Sequence, residues 1–190
     1  MSFYTIQELE NIGLKSFGIN VLISRYSRIY NAKNIAIGNN VRVDDFCLLS
    51  AGSDTQFIIE DYVHISAGTC IYGAAGIHIK SFSNISVGVK VFTMSDSFCG
   101  NYLIGPTVPK EFRNVIEAPL ILEKHTVIGT NSVVLPGITI GEGVAIGANS
   151  LVNKNCEEWT IYVGSPLRKL KERERKVLEL EKMIVSNSQK

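Results

Sequence analysis

Residues 127–141 read Val127-Ile128-Gly129-Thr130-Asn131-Ser132-Val133-Val134-Leu135-Pro136-Gly137-Ile138-Thr139-Ile140-Gly141. Aliphatic residues stand six apart in this stretch, at Ile128, Val134 and Ile140. The phase extends back to Leu122 and on to Ile146 and Val152. A helix would repeat its apolar residues at three and four, and a half-buried strand at two. Six fits neither, so the period marks an internal repeat of its own.

The same phase carries Ile59, Ile65 and Ile71, then Ile79, Ile85 and Val91. Before them come Ile37, Val43 and Leu49, with Ile23 and Ile29 earlier still. The phase slips by two residues at Ile29 to Ile37 and at Ile71 to Ile79, and by four at Leu49 to Ile59. Each slip follows three hexads. The unit is therefore a triangular coil of about eighteen residues, three short strands joined by three corners. Position one points inward and stacks on its equivalent in the next coil. Position five is small or β-branched (Thr126, Ser132, Ile138, Val144, Ser150, Cys156), as a narrow interior requires. Position two is often glycine or acidic (Glu123, Gly129, Gly141, Gly147), and the glycine is read as the residue that makes the tight corner. One coil leaves its apolar face bare until another stacks on it, which is the logic of a solenoid.

The ends break the pattern. Thr5-Ile6-Gln7-Glu8 is a capping box with Ile6, Leu9 and Ile12 on one stripe and Gly13 as the stop. At the other end Ser165 reads as an N-cap and Pro166 as the first helical residue. Leu167, Leu170, Val177 and Ile184 then predict a C-terminal helix over about 165–184. The coils are expected over about 19–163, in one domain. Between them, residues 97–121 hold no hexads. A loop of that length in a compact domain usually carries function.

Composition excludes several classes. The 190 residues carry 19 Lys+Arg and 18 Asp+Glu, a net charge of +1, unlike the basic excess of a nucleic-acid-binding domain. No apolar run approaches a membrane span of about 18 residues, and the N-terminus lacks a signal peptide's basic and apolar regions. Cys47, Cys70, Cys99 and Cys156 show no metal-ligand spacing, which predicts a reduced, cytoplasmic protein.

The hexads, with Ile146-Gly147-Ala148-Asn149-Ser150-Leu151-Val152-Asn153-Lys154 and Gly164-Ser165-Pro166, resemble the hexapeptide-repeat acyltransferases, in particular the sugar O-acetyltransferase branch of maltose and galactoside acetyltransferases. The resemblance covers roughly 19–171. It implies a left-handed parallel β-helix, a fold whose crossover hand opposes the usual one. It also implies a homotrimer with active sites between subunits, acetyl-CoA as co-substrate, and a sugar acceptor. No metal is implied, and the three histidines, spaced 14 and 47 apart, do not match the zinc-binding set of the carbonic anhydrases that share this fold.

Acyl transfer to a hydroxyl or amine needs a general base and a stabiliser for the developing oxyanion. In the branch resembled, the catalytic histidine falls where Thr93-Met94-Ser95-Asp96-Ser97 places Asp96. A carboxylate, with a reference pKa of about 3.9, is a weak base toward an alcohol. His64, at position six of its hexad with Arg42 and Asn84 as equivalents in neighbouring coils, is therefore the expected base. Asp96, from the same or a neighbouring subunit, is the expected orienter, by the logic of a base with its orienting carboxylate. His78 falls in a phase-slip corner, and His125 at position four, read as a surface site. Ser66, aligned with the family's acceptor-binding asparagine, Asn84 and Arg113 are the expected acceptor contacts. Thr130, Ala148, Asn153, Lys154 and Lys171 are the expected coenzyme A contacts. The expected activity is O-acetylation of a sugar or glycan precursor. N-acetylation of an amino-sugar nucleotide and a non-catalytic scaffold are the alternatives.

Overall fold

The structure is a computed structural model that describes residues 2–187. Its strands form three parallel sheets, and the chain visits them in rotation. One coil runs Ile35–Ile37, Arg42–Val43, Leu48–Ala51. The next runs Phe57–Ile59, His64–Ile65, Cys70–Gly73, and the third Ile77–Ile79, Asn84–Ile85, Lys90–Phe92. After the break, Leu120–Leu122, Val127–Ile128, Val133–Val134 and then Thr139–Ile140, Ala145–Ile146, Leu151–Val152 resume the rotation. The solenoid has about seven turns and is a left-handed β-helix. It starts earlier than the hexads predict, with Ser16–Phe17 on the first sheet.

The register follows the hexad phase. Arg42 pairs with His64 and His64 with Asn84 on the second sheet, and Val127 follows. Position-one residues from Ile37 to Val152 are all buried, and so are the position-five residues from Thr126 to Cys156. Burying each such aliphatic side chain contributes about 1.5–3 kcal/mol, and the repetition makes the prism one continuous core.

The corners are built differently from the expectation. The left-handed residue of each full hexad is the fourth, not the second: Asn40, Tyr62, Phe82, His125 and Asn131 all have φ between 55° and 60°. Position-two Gly129 does not have positive φ. A Cβ there would meet Ala148 N of the next coil at 2.5 Å, so close coil stacking requires the glycine. Between the first and second sheets the fourth positions stack into a column in which Tyr62 lies on Phe82 (4.8 Å) and Phe82 on His125 (5.3 Å). His125 is buried there, contrary to its reading as a surface residue.

The N-terminal helix Ile6–Ile12 has the predicted capping box and a left-handed Gly13. Leu9 is its buried residue, while Ile6 is 72% exposed. The C-terminal expectation fails. Ser165 caps no helix; its peptide bond to Pro166 is cis. Arg168–Glu172 is a strand, paired antiparallel with Thr160–Val163 at the end of the second sheet. The unpaired edge of the last coil offers backbone partners that outweigh the local helical signals. The helix begins only at Val177 and runs to Asn187. Its Glu181 meets His125 Nε2 (2.7 Å) and Lys124 Nζ (2.6 Å), tying it back to the aromatic column.

The excursion is also shifted. Met94–Asp96 and Val115–Glu117 form an antiparallel stem, and Leu120–Leu122 already belongs to the next coil. It leaves the prism at the corner between the third and first sheets. No helix among the described residues is long and apolar enough to cross a membrane.

Candidate active site

The second sheet presents a row of position-six residues: Arg42, His64 and Asn84, then Val127 and Ala145. It is polar from Arg42 to Asn84 and apolar on either side, at Leu22 before it and from Val127 after it. Position-two residues Asp44, Ser66 and Ser86 follow at the corner toward the third sheet. Buried Asp44 accepts a hydrogen bond from Arg42 Nε (2.7 Å) and lies 2.9 Å from His64 Nε2. His64 Nδ1 lies 3.1 Å from Asn84 Oδ1, and Asn84 Nδ2 donates to Ser86 Oγ at 3.5 Å. Burial acts to raise the Asp44 carboxyl, but the hydrogen bonds from Arg42 and His64 outweigh it and hold it below the usual carboxylate range.

Both ring nitrogens of His64 are therefore engaged, although its side chain is 40% exposed. The carboxylate that orients it within the chain is Asp44, not Asp96. Asp44 was missed because position two is often glycine or acidic, so that an acidic residue there reads as part of the repeat; its place among Ser24, Ser66 and Ser86 was the available signal. Asp96 stands instead in the excursion stem. Its Oδ1 accepts from Arg113 Nη2 (3.1 Å) and its Oδ2 from the Gly105 backbone N–H (3.2 Å). Arg113 spans the excursion in this pair rather than standing open toward an acceptor, with both side chains 17% exposed. Ser66 is buried.

The expected cofactor residues also separate. Thr130 and Ala148 are exposed equivalents one coil apart, at the corner between the second and third sheets. Asn153 and Lys154 are exposed at the corner between the third and first sheets, the corner from which the excursion leaves. Lys171 lies in the terminal strand of the second sheet, opposite Ile161. The candidates thus form two strips on different sides of the prism. One holds Asp96, Arg113, Asn153 and Lys154. The other runs from Arg42, His64, Asn84 and Ser86 to Thr130, Ala148 and Lys171.

The other titratable groups stand apart. His78 pairs with Glu60 (2.6 Å) on the first sheet. All four cysteines are free thiols. Burial pushes Cys47 and Cys156 up to about 11, which makes them poor nucleophiles at neutral pH. Exposed Cys99 is held below its ordinary value by hydrogen bonds, foremost with Ser97.

Residues 120–154 match the family model for the bacterial transferase hexapeptide (six repeats). A dTDP-4-amino-4,6-dideoxy-D-glucose acyltransferase of Escherichia coli is 41% identical over 184 residues, covering 97% of this chain and 95% of that protein. The chain belongs to the hexapeptide-repeat transferase family. It is an acyltransferase. AntD, an N-acyltransferase from Bacillus cereus solved with dTDP-4-amino-4,6-dideoxyglucose and coenzyme A, superimposes on this transferase with a TM-score of 0.94, 47% identity and 98% coverage of both chains. AntD has been solved in variants at a serine and at an aspartate ten positions beyond it. A putative lipopolysaccharide biosynthesis O-acetyl transferase of Escherichia coli, WbbJ, is 29% identical over 105 residues, covering 50% of this chain and 54% of its own.

Proposed function

We propose that this transferase moves an acyl group from coenzyme A to the amine of a nucleotide-linked amino sugar, dTDP-4-amino-4,6-dideoxyglucose or a close analogue. The hydroxyl acceptor placed first by the sequence reading gives way to the amine alternative. Two relatives of nearly full coverage act on or bind that amino sugar, whereas the O-acetyl relative matches half the chain.

The observation that carries the reading is Asp96 at the place of the branch's histidine. An alcohol must lose its proton as it attacks, and that demands a base near neutrality. A neutral amine attacks unaided. Its N–H becomes strongly acidic only once the C–N bond forms, and a carboxylate can then accept the proton as the coenzyme A thiolate leaves. Asp96 suits the second chemistry and not the first. Ser86 is also the one serine in the chain with an aspartate ten residues on, Asp96, the spacing of the two AntD positions. We assign Asp96 to the amine proton and the Ser86 hydroxyl to the thioester oxygen.

These two residues stand on different sides of one prism. The reading therefore places the site between subunits of a homotrimer, where the excursion strip of one copy meets the second-sheet strip of its neighbour. Lys154 and Lys171 are then brought to one groove for the coenzyme A phosphates, with Thr130 and Ala148 along the pantetheine arm. His64 becomes part of the wall rather than the base. Four free thiols fit a reducing cytoplasm.

The test is thiol release from acetyl-CoA and 3-hydroxybutyryl-CoA with the dTDP amino sugar and with its 4-hydroxy counterpart. Turnover with the amine alone is expected, and the donor that works fixes the acyl length. Turnover confined to the hydroxyl sugar would overturn the reading.

A further inference from the structure

We propose that Asp44 is a positioning residue for the reaction, acting on Ser86 through His64 and Asn84. The proposal rests on the reading that Ser86 meets the thioester. Asp44 is a carboxylate buried at position two on the second sheet, where the neighbouring coils carry Ser24 and Ser66. Its two oxygens are taken by Arg42 Nε (2.7 Å) and His64 Nε2 (2.9 Å). Arg42 is itself braced by the Phe3 ring, 5.5 Å from the guanidinium carbon.

The chemistry of each link sets the next. An ionised carboxylate only accepts, so His64 Nε2 carries the hydrogen on Asp44. The other ring nitrogen faces the Asn84 amide, which can turn either end toward it. Where the ring carries a hydrogen on each nitrogen, Asn84 presents Oδ1 to Nδ1 (3.1 Å) and turns Nδ2 toward Ser86 Oγ (3.5 Å). Ser86 Oγ then accepts from Asn84, and its own O–H is left to point away from the chain, toward a ligand. With the amide reversed, Asn84 Oδ1 would draw the Ser86 hydroxyl proton inward, and the ligand would lose its donor. Asp44 fixes the hydrogen on Nε2 and holds the ring against Asn84, and the relay that ends in a hydroxyl donor is the one in which Nδ1 carries a hydrogen as well. His64 is a link in that relay, which accounts for an exposed histidine with both nitrogens engaged.

Steady-state kinetics of Asp44→Asn, Ser86→Ala and the double variant test this, with the full-length protein, an acyl-CoA donor and the dTDP amino sugar. Ser86→Ala should lower kcat about 100-fold, the scale of losing one oxyanion donor. Asp44→Asn should lower kcat about tenfold with KM for acyl-CoA unchanged within about twofold, and it should add no further loss in the Ser86→Ala background. Unchanged kcat in Asp44→Asn, or losses that multiply in the double variant, would overturn the relay. Full turnover by Ser86→Ala would instead sink the reading of the corner, and the relay with it. If Asp44→Asn fails to fold, Asn84→Ala replaces it and must show the same non-additivity.

Discussion

The coils at 120–152 and the excursion at 94–117 are neighbours in the chain but obey different rules. In the coils every position-one side chain stacks on its equivalents above and below, as Ile128 does between Ile85 and Ile146. In the excursion an antiparallel stem and one Arg113–Asp96 pair hold a loop whose apolar residues face outward, with Phe98 82% exposed. The first region supplies a rigid frame. The second supplies a carboxylate at a place the frame cannot reach. Under the proposed function stability and chemistry are housed apart, as is usual for functional loops on rigid scaffolds.

That division can be broken at several points. The largest effect should come from Ile128→Ala, which opens a cavity between stacked coils and should lower unfolding free energy by about 4 kcal/mol in denaturant titrations, while Phe98→Ala should change it by under about 0.5 kcal/mol. Equal losses would mean that the excursion shares the core. Asp96→Asn should follow, with kcat down about 100-fold or more and acyl-CoA affinity by calorimetry within about twofold; intact kcat would remove the carboxylate from the chemistry. Gly143→Ala should destabilise by about 2 kcal/mol. Its φ is 65°, and its Cβ would sit 2.4 Å from the Trp159 ring, so an unchanged melting temperature would show that the corner column yields. The smallest of these effects should be in coenzyme A binding, where Lys154→Ala and Lys171→Ala should each weaken affinity about tenfold, near 1.4 kcal/mol. If only one lysine matters, the two strips do not meet in one groove.

How much could be read beforehand differed in the same way. The hexad phase gave the three sheets, the register of Arg42, His64 and Asn84, and the buried positions, because stacking demands the same residue type at the same place in every coil. The turn residue was misplaced. Glycine at position two answers a close approach of backbones, while the left-handed conformation falls to position four, where Asn, Tyr, Phe and His adopt it. His125 was consequently read as a surface residue, though the aromatic column and Glu181 bury it. Asp44 escaped notice because its significance lies in side chains of other coils, about twenty residues away. The preference for His64 as the base followed from assuming a hydroxyl acceptor. The Asp96 substitution, already visible in the sequence, is what the proposed amine acceptor rests on.

The one-dimensional pattern was enough for the β-helix, since each hexad meets only its neighbours and a local repeat becomes a global shape without long-range choices. The C-terminal strand, the excursion stem and the partners of His64 and Asp96 had no such repeat behind them. They were decided by the folded molecule, where an open sheet edge captured 168–172 against its helical signals and a buried carboxylate claimed the histidine from the coil above.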